Sequence, residues 1–518
     1  MNKNIIERFI DRVESHSLGL AGFCVICWVF LRIFLEGIFE SYHYIGFSPF
    51  SYKMLLTYFV HFPLFYFCLF LLLVIIISGL INEPVRNVTK TASIGLVIIV
   101  FVPLVDHFVG GGYAITYPLR LEPYLVNFLN PFVSLVDIGV SPGQRAAVFL
   151  ISFLIGIYAF SKTRRPIRSI FMFLISLAVI ILFGGLTTLL AVNHPESVYV
   201  PGGILYTDTQ KYCALYMVLF SILAFVYLFL LNGKSARALL STLRLERVSF
   251  YGGMAVFGFA VSLLQRGVVL EAGIFNYAGI LTIFLSLAFG FWSLQVCNDL
   301  FDADIDRTVG KKNLVLSGIT GEYYYSFLVF LFACALCCAL IINFQAFLIL
   351  LAYLVLGIVY SMPPVRLKRI PVVSTFVIAV AVCLCIGLGF SVYYGGRAFA
   401  GIPGRVLIPT LVGVTLGFIA KDIGHVEGDR SQGVITVPVL LYDRVRLPGR
   451  IPVAMLVSSS YLVYALFIPQ SFPGALLCAS ITFLYTIAVK KTSEVFYFLM
   501  LYVFGGYLLY VLLSVLPF

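Results

Sequence analysis

Charged side chains are scarce in this sequence. Only 11% of its 518 residues are Asp, Glu, Lys or Arg, whereas 61% are hydrophobic and the mean hydropathy is +1.05. Soluble globular domains carry about 25% charged residues, so the composition excludes that class. We interpret the chain as an all-α, polytopic membrane protein whose main partner is the lipid bilayer.

Cysteines in pairs suited to a metal or a disulfide framework are also lacking. Most of the eleven cysteines lie inside apolar segments, where cysteine is usually a small packing residue. Cys334-x-x-Cys337-Cys338 has the spacing of half a zinc site, but no second Cys or His pair accompanies it at a useful spacing. We therefore expect neither redox nor zinc chemistry.

No single segment concentrates the positive charge. The net charge of +11 comes from short Lys and Arg clusters between apolar spans, a pattern that argues against a nucleic-acid partner. The positive-inside rule accounts for these clusters if the N-terminus and the loops after the acidic runs described below are cytoplasmic. The first apolar run, near Leu18, has no small-residue cleavage pattern, so we expect it to be a retained helix.

Fifteen apolar segments are long enough to span a bilayer, which requires about 20 residues. They lie near 17–36, 54–80, 91–109, 144–160, 168–191, 212–231, 249–265, 273–297, 322–343, 346–361, 373–392, 405–421, 450–467, 473–489 and 494–515. The polar stretch 232–247 is the natural joint between the first six and the last nine. We predict an N-terminal transmembrane bundle at 1–240 and a second bundle at 241–518.

Two acidic runs in the second bundle share one spacing. Asp299, Asp302 and Asp306 follow one apolar segment, and Asp422, His425 and Asp429 follow another, four segments later. Offsets of three, four and seven lie on one face of a helix. The repetition indicates a duplicated unit whose two sites face a shared cavity.

Clusters of carboxylates at the ends of membrane helices are suited to Mg²⁺ held together with the phosphates of a substrate. A solvated helix end is the simpler explanation, but a helix C-terminus disfavours negative charge and unpaired charges are costly near a membrane. His425 replaces a carboxylate, so it is either a ligand, a substrate-orienting group or neither. Asp304 and Glu427 point away from the shared face and suit a supporting role.

A third run closes an apolar segment with two prolines and three cations. It reads Tyr360-Ser361-Met362-Pro363-Pro364-Val365-Arg366-Leu367-Lys368-Arg369. Taken alone, it is as consistent with a proline-terminated helix and positive-inside anchors as with a functional site.

Together the three runs resemble the hallmark patterns of the UbiA superfamily of intramembrane prenyltransferases. The matching residues are Asn298-Asp299-x-x-Asp302-x-x-x-Asp306, the run from Tyr360 to Arg369, and Asp422-x-x-x-x-Glu427-Gly428-Asp429-Arg430-x-x-Gly433-x-x-Thr436-x-Pro438. The resemblance covers about residues 240–518. It implies a bundle of nine transmembrane helices that moves a polyprenyl group from a polyprenyl diphosphate to an aromatic or other lipophilic acceptor.

The resemblance also implies roles for individual residues. The predicted Mg²⁺ ligands and catalytic residues are Asp299, Asp302, Asp306, Asp422 and Asp429. The predicted substrate-binding residues are Asn298, Tyr360, Arg366, Lys368, Lys421, His425 and Arg430. The cations among them are suited to stabilising charge on the leaving diphosphate, and aromatic residues such as Phe291, Trp292 and Phe418 to lining a dry cavity for a carbocation.

The chain departs from the family pattern at two places, which leaves two alternatives open. Residues 312–318 read Lys-Asn-Leu-Val-Leu-Ser-Gly where many members have Asn-Arg-Pro, and His425 stands where many have Asp. These changes would fit a catalytically altered homologue that acts as a membrane scaffold. Facing acidic runs in a repeated bundle would also fit a divalent-cation or lipid transporter.

The N-terminal bundle resembles no family. Asp106 and His107 end an apolar run, where we expect them to be hydrated at the interface. Arg32 lies inside the first apolar segment and either extends to the interface or pairs with Glu36, four residues later.

Overall fold

The computed structural model describes most of the chain and divides it into two compact units, Met1–Arg237 and Ala238–Phe518. All regular secondary structure in the described residues is helical. Those residues are 5–39, 51–110, 121–129, 140–190, 203–241, 243–303, 307, 313, 315–317, 321–426, 430, 435–444, 450–489 and 492–515.

The N-terminal unit contains six described helices that are long and apolar enough to cross a membrane. Short amphipathic helices accompany them. In chain order the helices are α1 (Ile5–Glu14), α2 (Leu18–Phe39), α3 (Tyr52–Ile81), α4 (Val85–Val109), α5 (Leu121–Leu129), α6 (Pro142–Thr163), α7 (Pro166–Gly184) and α8 (Asp208–Leu231). A further helix, α9 (Gly233–Ser241), contains the boundary at which the two units divide.

The C-terminal unit contributes nine spans of the same kind within the described ranges. Its helices are α10 (Leu245–Arg266), α11 (Ile274–Phe301), α12 (Gly321–Ile342), α13 (Phe344–Ser361), α14 (Val373–Tyr394), α15 (Gly404–Gly417), α16 (Val437–Arg444), α17 (Arg450–Phe467), α18 (Phe472–Ala488) and α19 (Glu494–Val515). A 3₁₀ segment, Phe418–His425, continues α15. The predicted all-α, polytopic fold is confirmed; the orientation across the membrane stays a prediction.

The tightest helix crossing in the C-terminal unit joins α10 to α14. A Cβ atom on Gly389 would lie 1.8 Å from the carbonyl oxygen of Ala255, and one on Gly258 would lie 2.1 Å from that of Ile386. Only glycine permits this approach of two backbones. At Gly290 and Gly417, by contrast, the nearest neighbours of an added Cβ atom would be side-chain atoms at 3.2 and 3.4 Å.

A carboxylate joins two spans of the N-terminal unit. Asp106 is buried near the end of α4 and accepts hydrogen bonds from Ser141 Oγ at 2.5 Å and from the Gly143 backbone nitrogen at 2.6 Å. These donors lie at the start of α6, where the first backbone N–H groups of a helix have no partner within the helix. The expectation that Asp106 is hydrated was therefore wrong, because its charge is used to cap α6.

An ion pair is fully enclosed within the same unit. Arg32 and Glu36 pair one helical turn apart on α2, with 0% and 3% of their side chains exposed. The guanidinium also lies over the ring of Tyr66, 5.2 Å from its centroid. Of the two sequence alternatives for Arg32, pairing is the one observed.

Glu36→Gln should destabilise the N-terminal unit, because it leaves the Arg32 charge buried without its counter-ion. We expect the free energy of unfolding to fall by about 3 kcal/mol, measured as a lower thermal midpoint in detergent. Removing both charges with Arg32→Met and Glu36→Gln should recover most of that loss. Glu271→Gln, at an exposed side chain, is the control; equal midpoints for Glu36→Gln and Glu271→Gln would contradict the prediction.

Candidate active site

The first acidic run lies at the C-terminal end of α11. Asp299 is in the last turn of the helix and is 6% exposed, whereas Asp302 is the C-cap residue with φ −100° and ψ 0°. The helix thus ends at Phe301, earlier than the one-face spacing of Asp299, Asp302 and Asp306 predicted, and Asp302 lies just beyond it. Asp306 lies outside the described residues.

Two cations of the proline-containing run neutralise Asp302. Arg366 donates to one carboxylate oxygen, and Lys368 Nζ donates to the other at 2.5 Å. Lys368 also donates to Oδ1 of Asn298 at 2.8 Å. Arg366 has a left-handed backbone with φ 46°, which is uncommon for a residue other than glycine. The structure thus brings together four predicted site residues from two distant segments.

The same run contacts the second acidic run through Tyr360. Lys421 Nζ donates to the Tyr360 hydroxyl at 2.9 Å and lies 5.5 Å from the ring centroid. Lys421 and its neighbour Asp422 interact electrostatically within the 3₁₀ segment that follows α15. The run from Tyr360 to Arg369 therefore bridges the two acidic runs.

The other predicted residues of the second run are described only in part. Arg430 is described and exposed. Asp429 lies outside the described residues, and so do Glu427 and the side chain of His425. Their roles stay predictions.

Aromatic rings pack together within the helices that carry these groups. Tyr251 stacks on Phe291 with centroids 4.7 Å apart, and Tyr353 meets Tyr251 edge-on at 5.9 Å. Trp292 is buried against Phe327, at 5.1 Å. Because aromatic faces attract cations, rings of this type are suited to a positively charged organic intermediate. Of these rings, Phe291 and Trp292 were singled out from the sequence.

Asn313 is a site residue that sequence reasoning missed. Its Nδ2 donates to the backbone carbonyl of Asp299 at 2.8 Å, and its Oδ1 accepts from the Val315 nitrogen at 2.9 Å. The last carbonyls of a helix lack partners within it, so Asn313 completes the end of α11 on which the first acidic run is mounted. The signal was present as the Asn of the altered segment 312–318.

An ion pair between the first and last helices of the unit was also missed. Arg247, on α10, binds the carboxylate of Glu494, at the start of α19, through Nε and Nη2. Phe250, on the next turn of α10, has its ring centroid 5.6 Å from that of Phe418, which begins the 3₁₀ segment with Lys421. The two residues are 247 positions apart, and no local pattern connects them.

The oxygen donors of the candidate site are of a type that binds divalent metals. Within the described part of the chain, no three His, Cys, Asp or Glu side chains form a metal cluster. The carboxylates of Asp299, Asp302 and Asp422 are nevertheless hard oxygen donors at helix ends, the ligand type that Mg²⁺ prefers. Asp302 is paired with Arg366 and Lys368 in this structure. The three carboxylates fit Mg²⁺ once these two cations bind phosphate oxygens instead of Asp302.

Comparison with known proteins gives the class. The model of the UbiA prenyltransferase family matches residues 254–515, about half of the sequence. The chain belongs to this family, and it is an integral, multi-pass membrane protein.

Two of the similar proteins are a plant and an archaeal enzyme. The chain is 31% identical over 196 residues to a probable homogentisate phytyltransferase 2 of Oryza sativa, which covers 35% of this chain and 51% of that protein. It is 29% identical over 214 residues to a digeranylgeranylglyceryl phosphate synthase of Thermococcus gammatolerans, covering 40% and 70%. The chain thus spans about half the length of the rice protein.

A solved structure shares lower identity. A UbiA homolog from Archaeoglobus fulgidus bound to GPP and Mg²⁺ is 22% identical, and the alignment covers 53% of this chain and 99% of that one with a TM-score of 0.39. The family match falls entirely within the C-terminal unit.

Asn313→Ala should loosen the end of α11, because it leaves the Asp299 carbonyl without its side-chain partner. We expect amide hydrogen exchange at residues 299–303 to become about tenfold faster, measured by mass spectrometry on the protein in detergent. Asn343→Ala is the matched control, since Asn343 caps the start of α13 in the same unit. Unchanged exchange at 299–303 in Asn313→Ala would rule out the capping role.

Proposed function

We propose that this chain is a Mg²⁺-dependent prenyltransferase that moves a prenyl group from a prenyl diphosphate to a lipophilic acceptor. The observation that carries the proposal is the bridge made by the run from Tyr360 to Arg369. It contacts the first acidic run through Asp302 and the second through Lys421. Carboxylates and cations are thereby gathered at helix ends, where a diphosphate can remain in water while its tail enters the bilayer.

Five carboxylates would hold the metal in this proposal. Two of them, Asp306 and Asp429, are assigned from the sequence alone, and the described three are Asp299, Asp302 and Asp422. When bound, Mg²⁺ supplies neutralisation of the diphosphate and makes it a better leaving group.

The chain's own cations would act on the departing diphosphate. Arg366 and Lys368 would exchange the Asp302 carboxylate for phosphate oxygens, because a guanidinium binds phosphate as readily as carboxylate. Lys421 and Arg430 would contact the diphosphate from the side of the second run. Charge that develops on the leaving oxygens is then stabilised by groups already in position.

The aromatic residues would protect the prenyl cation left behind. The carbon–oxygen bond breaks with its electron pair leaving on the diphosphate, and the allylic carbon becomes positive. The rings of Tyr251, Phe291 and Tyr353 offer π faces and exclude water, so that the acceptor rather than hydroxide attacks the carbon. The acceptor then loses a proton as the new bond forms.

The two alternatives from the sequence receive less support. A transporter would place its charged groups near mid-span, whereas Asp302 caps α11 and Asp422 lies in the 3₁₀ segment after α15. An inactive scaffold would be expected to lose the support of its acidic run, yet Asn313 of the altered 312–318 segment holds the Asp299 carbonyl.

Asp302→Asn should lower Mg²⁺-dependent release of diphosphate from geranyl diphosphate by at least about a hundredfold, because it removes a metal ligand and the partner of two cations. The assay supplies membrane lipid extract as acceptor, and mass spectrometry of the prenylated product identifies the acceptor. Asp208→Asn, at a half-exposed carboxylate of the N-terminal unit, is the control and should retain activity.

Two results would count against the proposal. One is the absence of Mg²⁺-dependent turnover or binding with every prenyl diphosphate tried, despite folded wild-type protein. The other is equal activity of Asp302→Asn and Asp208→Asn.

A further inference from the structure

The carboxylate of Glu494 binds Arg247 through both of its oxygens. Arg247 Nη2 lies 2.8 Å from Oε1 and 2.6 Å from Oε2, and Nε lies 3.2 Å from Oε2. Both side chains are partly exposed, at 24% and 33%. Geometry of this kind fixes a guanidinium more firmly than a single contact does, because two of its nitrogens must be released together.

Arg247 lies beside the candidate active site. Phe250, one turn after Arg247 on α10, has its ring centroid 5.6 Å from that of Phe418, the first residue of the 3₁₀ segment that carries Asp422. Glu494 therefore restrains a cation beside that segment.

We propose that Glu494 is a positioning residue that keeps Arg247 from pairing with the carboxylate of Asp422 in the second acidic run. A guanidinium stays charged at any physiological pH and takes a bidentate carboxylate partner wherever one is in reach. Without Glu494, the side chain of Arg247 turns toward Asp422. An arginine on that carboxylate competes with the divalent cation for the same oxygens. This inference rests on the proposed function, since it assumes that the carboxylates bind a metal.

A purely structural role for the pair makes a different prediction. The seam between α10 and α19 carries a second polar contact, from the Tyr502 hydroxyl to Ser249 Oγ at 2.7 Å. If Glu494 served only to hold these two helices together, removing Arg247 as well would not restore metal binding. If Glu494 serves to restrain Arg247, removing Arg247 as well should restore metal binding.

The experiment compares Glu494→Gln, the double variant Glu494→Gln with Arg247→Gln, and Tyr502→Phe with wild type in the full-length chain. Binding of Mn²⁺ is measured by electron paramagnetic resonance without donor, and binding of geranyl diphosphate by calorimetry over a series of Mg²⁺ concentrations. Thermal midpoints report folding. Tyr502→Phe is the matched control because it removes an uncharged contact from the same seam.

We expect Glu494→Gln to weaken Mn²⁺ binding and to raise the Mg²⁺ concentration needed for donor binding by about tenfold. The double variant should return to within about threefold of wild type, and Tyr502→Phe should match wild type. A double variant as weak as Glu494→Gln, or a Glu494→Gln variant that binds Mn²⁺ as wild type does, overturns the inference.

Failure of the proposed function gives a separate result. Wild-type protein that binds Mn²⁺ but no prenyl diphosphate would refute prenyl transfer, while the Mn²⁺ comparison would still decide the role of Glu494. Wild-type protein that binds neither would overturn both.

Discussion

The Asp302 carboxylate, held between Arg366 and Lys368, is the interaction on which the candidate site depends. All three side chains are largely buried, and charges so placed are stable only when they are paired. The pairing fixes the turn after α13 against the end of α11. Because that turn also carries Tyr360, the partner of Lys421, the same interaction sets the distance between the two acidic runs.

Local signals in the sequence were sufficient for the fold, whereas the roles of the candidate site residues stay predictions. Apolar segments predicted the spans because lipid demands long, uncharged helices. The run from Tyr360 to Arg369 was ambiguous by itself, and its contacts with Asp302 and Lys421, which no local pattern predicts, are what favour a site. Arg247 and Glu494 could not be paired from the sequence, because their contact depends on the closure of the first helix of the unit against the last. The end of α11 at Phe301 was not predicted, because the helical spacing of Asp299, Asp302 and Asp306 continues past it.

The buried charges of the N-terminal unit have partners of a different kind. Here Arg32 pairs with a carboxylate of its own helix and lies over the ring of Tyr66. Because the pairing is local to one helix, it stabilises α2. Asp106 likewise accepts a hydrogen bond from a backbone group at the start of α6. These polar groups of the N-terminal unit thus serve helix stability and helix packing, whereas Asp302 of the C-terminal unit pairs with cations from a distant segment.

The contact of Asp106 with the start of α6 has a consequence for biogenesis. Ser141 and Gly143 follow Asp106 by 35 and 37 positions, so the carboxylate and its donors emerge from the ribosome at different times. Until Gly143 has been synthesised, the Asp106 carboxylate lacks both of the donors that it has in the folded protein. We therefore expect α4 to reach its final packing only once α6 is present.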